Sequence, residues 1–233
     1  MFLRFADRAS DSPYIERVWR AHSDGGGPFV SVAAGHLELV VTRLADFTMV
    51  TVRGPETRAT TIDCPPDGEW AAIRFRLGVH MPSLPTRLLL DHRDVHLAVS
   101  ADGSFELAGS RWPLPDLDNA ERYVHELARR GVIARDDVVD AAIGGDGSAL
   151  TIRSVQRHFR RTTGMTHSLF RQIERARRAT TLLRAGAPIL DTVHEAGYFD
   201  QAHLSRSLRV FIGETPASVM RNDRQLSFLY KTG

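Results

Sequence analysis

The sequence predicts an α+β protein of two domains, an N-terminal antiparallel β barrel or sandwich followed by an all-α domain. Three observations carry this. Between Pro28 and Phe105 the apolar pattern is short, alternating and rich in Val, Thr, Phe and Ile, as in half-buried strands. After Pro113 it changes to the 3.6-residue period of helices. The charge changes sign as well: residues 1–133 hold 15 basic and 18 acidic residues, residues 134–233 hold 15 and 10. The boundary falls near residue 132, giving domains of residues 1–132 and 133–233.

Taken in order, the candidate strands are 29–34, 37–43, 47–53, 58–63 and 70–77. Gly25-Gly26-Gly27-Pro28, Gly54-Pro55, Pro65-Pro66-Asp67-Gly68 and Asp102-Gly103 punctuate them as turns. Ala120, Tyr123, Val124 and Leu127 then recur at helical spacing, with Asp116 or Asp118 as a cap and Gly131 beyond the end. A short helix over about 136–143 ends in Gly144-Gly145-Asp146-Gly147. From Thr151 the chain is helix after helix. Val155 and Phe159 mark one helix that ends near Gly164. Leu169, Ile173, Ala176, Thr180 and Leu183 step along a longer one closed by Gly186, with Arg171, Arg175 and Arg178 on its other faces. Residues 189–196 form a short helix stopped by Gly197. Asp200 caps a helix with Leu204, Leu208 and Phe211 as its apolar side, and Thr215-Pro216 opens the last.

Composition sets the outer limits. A chain of 233 residues with 42% hydrophobic and 25% charged residues and a net charge of +2 is globular rather than disordered. No apolar run approaches the ~18–20 residues that span a bilayer. Arg4 and Asp7 stand where a signal peptide needs an apolar core. A soluble, cytoplasmic chain with no membrane partner is expected. The single cysteine, Cys64, excludes an internal disulfide and a multi-thiolate zinc site, and reads as a small apolar residue.

The stretch 189–208 is a one-sided helix, a short turn with Gly197, and a second capped helix: a helix-turn-helix. Burial of Leu204 and Leu208 turns Gln201, Ala202, Ser205, Arg206 and Arg209 outward. Gln and Arg there suit base edges in a major groove, and Ser or His suits phosphates.

Ile189-Leu190-Asp191-Thr192-Val193, then Gly197-Tyr198-Phe199-Asp200-Gln201-Ala202-His203-Leu204-Ser205-Arg206, then Phe211-Ile212-Gly213-Glu214-Thr215-Pro216 closely resembles the AraC/XylS family of bacterial transcription regulators. Ser154-Val155-Gln156-Arg157-His158-Phe159 resembles the first recognition helix of the same domain, and Glu174-Arg175-Ala176-Arg177-Arg178 its connecting helix. The resemblance covers about residues 136–224. It implies two helix-turn-helix units joined by a long helix and reading adjacent major-groove segments of double-stranded operator or promoter DNA. Carried over by position, Arg153, Gln156 and Arg157 are the base readers of the first unit, and Gln201, Ala202, Ser205 and Arg206 those of the second. Arg160, His203 and Arg209 are phosphate contacts. One departure stands out. Only about 136–143 is available ahead of the first recognition helix, so the helix that normally supports it is shortened or replaced by a glycine loop.

The N-terminal half resembles, more loosely, the cupin-like sensing domains in one branch of that family, through Gly35-His36-Leu37-Glu38-Leu39 and Ile73-Arg74-Phe75-Arg76-Leu77-Gly78. The implied partners beyond DNA are a small-molecule effector, a second copy of the chain and RNA polymerase. His36 with Glu38, and His92 with His96, stand near one another in sequence, but the His-X-His spacing of a cupin metal site is absent. No metal or cofactor is expected. No Gly-X-Ser-X-Gly elbow and no P-loop lysine are present, so catalysis is not expected. The rival reading is a β-barrel enzyme or small-molecule binder with a helical interaction module. A fragment of residues 134–233 is expected to fold and bind DNA alone, which circular dichroism and gel shifts would check.

Overall fold

The computed structural model describes residues 2–144, 151–221, 224, 226 and 227. The N-terminal half is built on a six-stranded antiparallel sheet in the order β1-β2-β7-β4-β5-β9. These strands are Leu3–Ala9, Ile15–Ser23, Glu69–Phe75, Glu38–Leu44, Phe47–Arg53 and Val95–Ala98, respectively. Three two-stranded ladders complete it: β3 (Gly27–Ser31) with β6 (Thr60–Cys64), β10 (Ser104–Leu107) with β11 (Ser110–Pro113), and β8 (Val79–His80) with β12 (Ala134–Arg135). All five expected strands are present, with their ends displaced by a few residues. β1 and β2 escaped the sequence reading because charged residues interrupt their apolar pattern on both faces, as in Leu3-Arg4-Phe5-Ala6-Asp7-Arg8.

The two faces of the large sheet differ. On one, Val18, Leu39, Val41, Val50, Val52, Ile73 and Phe75 pack in one core with Val124 and Leu127 of α1 (Ala120–Arg129). The other face carries a cross-strand row, Arg17, Arg74, Glu38 and Arg53, fixed by the register of four neighbouring strands. Such a row would ordinarily face water. Here it is covered, and Glu38 is buried. Glu38 Oε1 accepts from Arg74 Nε at 2.7 Å and from the Trp19 indole at 3.2 Å, and Arg53 lies 3.5 Å from Oε2.

The C-terminal half comprises α2 (Asp137–Gly144), α3 (Ile152–Thr163), α4 (His167–Arg184), α5 (Ile189–Glu195), α6 (Gln201–Phe211) and α7 (Pro216–Arg221). Its core gathers Phe159, Ile173, Leu183, Leu204, Leu208 and Val219, and it also takes in Val30, Val32, Ala33 and Leu77 from the N-terminal half. The change from one core to the other falls between Ile133 and Val139. At Gly35 the halves meet so closely that a Cβ would stand 2.9 Å from the Phe170 ring.

The end of α6 is held by the other half of the chain. A helix leaves its last carbonyls without intrahelical partners. The backbone N–H of Ala59 donates to Val210 O and that of Ala33 to Phe211 O, each at 2.8 Å. Gly213, at φ +79°, lets the chain leave α6 close against Val30 and Ala59.

Burial alone would raise the Glu38 carboxyl, but Arg74 and Arg53 beside it, helped by the Arg74 and Trp19 hydrogen bonds, bring it down to about 2 from 4.5. A value depressed by folding stabilises the protein above the unfolded value, and that contribution is lost as pH falls toward 2. Between about pH 5 and about pH 2.5, the wild-type protein is expected to lose roughly 2 kcal/mol more stability than Glu38→Gln. Urea unfolding across that range would measure the difference.

Candidate nucleic-acid interface

The first unit rests on α3. Thr151 caps it, its Oγ1 accepting from Ser154 N at 3.2 Å, and Gly164 ends it in the left-handed conformation. Phe159 and Thr163 turn inward. Arg153, Gln156, Arg157 and Arg160 are exposed and line one shallow surface cleft with Thr151 and Ser154. All four side chains assigned from sequence to this unit therefore share a face.

Support for α3 comes from two places the sequence did not reveal. Asp136 is buried just ahead of α2, where its Oδ1 accepts from Val138 N at 3.1 Å. The same carboxylate lies 2.8 Å from His158 Nδ1 and accepts from Arg161 at 2.7 Å, both on α3. Burial pushes this carboxyl up, but the His158 and Arg161 contacts outweigh it and hold it below the ordinary range. On another side, α3 packs against the 3₁₀ turn Thr86–Leu88, and Gly164 sits against the Arg87 backbone. Most of the expected glycine loop, residues 145–150, lies outside the described residues.

The second unit is α5, the Gly197 turn and α6. Gly197 takes φ +72°, and Asp200 caps α6 by accepting from His203 N at 2.6 Å. Leu204, Ser207, Leu208 and Phe211 face inward. Gln201, Ala202, Arg206 and Arg209 are exposed and Ser205 is half-buried, as expected of a reading face. His203 is half-buried, its ring edge-on to Tyr198 at 5.1 Å between centroids. Phe199, just ahead of the cap, is 91% exposed.

The connecting helix α4 buries Ile173, Ala176, Thr180 and Leu183 as its spacing predicts, and Phe170 and Ala179 as well. Arg171 and Arg178 face solvent, whereas Arg175 turns inward. Its guanidinium lies 4.6 Å from the centre of the Tyr198 ring and donates to Gly197 O at 3.3 Å. The Tyr198 hydroxyl in turn meets Ser207 Oγ at 2.9 Å. Arg175 thus fastens the turn of the second unit to the connecting helix, a role invisible to periodicity.

Residues 147–222 match the model of a family described as a helix-turn-helix domain. It is a domain of the AraC/XylS type. The chain is therefore a DNA-binding transcription regulator, with its strands in the half that precedes this domain. No curated protein and no solved structure matches the chain.

The other residues weighed from sequence have separate partners. His36 Nδ1 lies 3.2 Å from Glu16 Oε2, and His96 Nδ1 lies 3.1 Å from Thr51 Oγ1. His92 meets Thr60, and Glu38 is held by Arg74. Among the described residues, no three His, Cys, Asp or Glu side chains gather as a metal site, and no helix is long and apolar enough to cross a membrane. Cys64 is half-buried, and burial pushes its thiol up.

Replacing Asp136 with Ala removes the α2 cap and both ties to α3. A loss of about 2 kcal/mol of stability is expected, given that hydrogen bonds to charged groups contribute ~1.5–3 kcal/mol. Denaturant unfolding measures the loss, and hydrogen exchange should place it in α2 and α3.

Proposed function

We propose that this chain reads a specific double-stranded DNA sequence with both units and that its N-terminal half regulates the binding. The supporting observation is that the polar, arginine-bearing faces of α3 and α6 are exposed while their apolar faces are locked into one core. Arg153, Gln156 and Arg157 read bases from α3, and Gln201, Ala202, Ser205 and Arg206 from α6. Arg160, His203 and Arg209 contact phosphates, and Phe199 offers an apolar surface to a thymine methyl or a sugar. The helices would enter major-groove segments about one turn apart, ~10 bp. As a cytoplasmic regulator the chain would answer to a small-molecule effector, pair with a second copy and touch RNA polymerase at its promoter. Residues 1–132 and 133–233 are its working units, and it carries out no catalysis.

Binding to the DNA upstream of its own coding region should weaken steeply as salt rises, because neutralised phosphates release counterions. A gel shift at two salt concentrations tests this, and salt-insensitive or absent binding would favour the rival reading of an enzyme or ligand binder.

Arg206 and Arg209 separate reading from anchoring. Arg206 lies four residues after Ala202, on the same outward face of α6, where its guanidinium reaches base edges. Arg209 lies in the last turn, nearer the groove wall. Arg206→Ala should relax preference at one or two operator positions by ~1–3 kcal/mol and leave non-specific affinity intact. Arg209→Ala should weaken binding to all duplexes alike and lower the salt slope by about one. Competition between specific and scrambled duplexes across a salt series distinguishes them; equal losses on both duplexes for both variants would remove Arg206 from the readers.

A further inference from the structure

The polar face of the large sheet and the β3–β6 ladder enclose a cavity of about 70 Å³. That is several times the room one water needs. Aromatic rings of Phe5, Trp19 and Phe29 form part of its wall. Most of its charged groups hold one another: Arg17 is paired with Asp7, and Glu38 with Arg74 and Arg53.

Glu56 is different. It is 5% exposed, and Ser31 Oγ donates to its Oε1 at 2.8 Å. Among the described residues, its Oε2 accepts no hydrogen bond. The nearest imidazole nitrogen, His92 Nε2, stands 3.6 Å away and meets Thr60 as well. A buried acceptor beside open space calls for a donor.

We propose that this cavity binds a small organic cation, an amine or amidine on a body of one or two carbons, whose N–H donates to Glu56 Oε2 while the body lies against Phe5, Trp19 and Phe29. A cation suits both parts of the site, making a charge-assisted bond to the carboxylate and a favourable contact with ring faces. An anion would bring acceptors to an atom that already lacks a donor.

Such a ligand would act on the recognition helix, and this part rests on the regulatory role proposed for the N-terminal half. Ala34 and Glu56 exchange backbone hydrogen bonds at 2.9 Å in both directions. Ala33, next to the first, and Ala59, three residues after the second, hold the last turn of α6. Ser227, beyond α7, also lines the cavity; its N–H donates to Val30 O and its Oγ accepts from Val32 N. Two of the segments that line the cavity therefore run into the residues that hold α6. A ligand that binds better to one placement of these segments shifts DNA affinity by that difference.

The binding should depend on pH in a definite direction. Burial raises the Glu56 carboxyl to about 7, against the Ser31 hydrogen bond and Arg53, while Glu38 and Asp94 push the same way as burial. A cation binds the ionised form, so affinity should be about tenfold higher at pH 8 than at pH 6.

Calorimetry on the full chain, with acetamidine and methylamine as probes and acetate and ethanol as controls, tests the proposal. The expected result is binding of the cations in preference to both controls, stronger at pH 8, and lost in Glu56→Gln. Repeating the series in His92→Gln separates that imidazole's proton. Absence of cation binding, equal binding of acetate, or indifference to both pH and Glu56→Gln would overturn it. The wild-type pH series stands even if the variant does not fold. Gel shifts with and without the probe distinguish the two readings. DNA binding with no probe binding sinks the site alone, and probe binding with no DNA binding sinks the regulatory reading. Probe binding that leaves DNA affinity unchanged sinks the coupling to α6.

Discussion

Two backbone hydrogen bonds, from Ala33 and Ala59 to the last carbonyls of α6, join the halves of this protein at its second recognition helix. A helix end needs partners for its carbonyls, and here they come from the preceding half of the chain. The apolar contacts around them agree: Val30, Val32, Ala33 and Leu77 belong to the helical core. The helix-turn-helix half is thus docked on the β-rich half through a packed contact, and the outward face of α6 remains open.

A charged sheet face is also turned inward, toward β3 and the residues that follow it. Arg17, Arg74, Glu38 and Arg53 form a row that solvent would normally cover. Covering it demands that every charge find a partner, since an isolated buried ion is costly. Glu38 meets that demand with two arginines and an indole. Glu56 has Ser31 on one oxygen and, among the described residues, no hydrogen-bond donor on the other, and the contrast between these two buried carboxylates gives the cavity its chemical character. One is held at low pKa by cations; the other is raised by burial with one oxygen left open.

In the first unit, α3 is held from outside its own helix. Asp136 serves two helices with one carboxylate, capping α2 and holding His158 and Arg161 of α3. The turn at Thr86–Leu88 packs on the same helix. Part of the support for α3 is therefore carried by the preceding half, so that both recognition helices touch it, one along its flank and the other at its end.

Most of the helical half was legible in the sequence, because its signals are local. Caps at Thr151, Asp200 and Thr215, glycines at Gly164 and Gly197, and the 3.6-residue spacing of Leu204 and Leu208 each act within a turn or two of the chain. The outward positions of Gln201 and Arg206 follow from that spacing, whereas Arg153, Gln156 and Arg157 were singled out by the family resemblance. The strands 29–77 were legible from alternation and turn residues. β1 and β2 were not, because charged residues fall on both faces of their alternation. What only the tertiary structure decided is long-range: the row around Glu38, the open oxygen of Glu56, the inward turn of Arg175 onto Tyr198 and the hold on α6. A residue's exposure follows from its neighbours in space. For these residues the neighbours lie from about 20 to 180 positions away, beyond the reach of any local pattern.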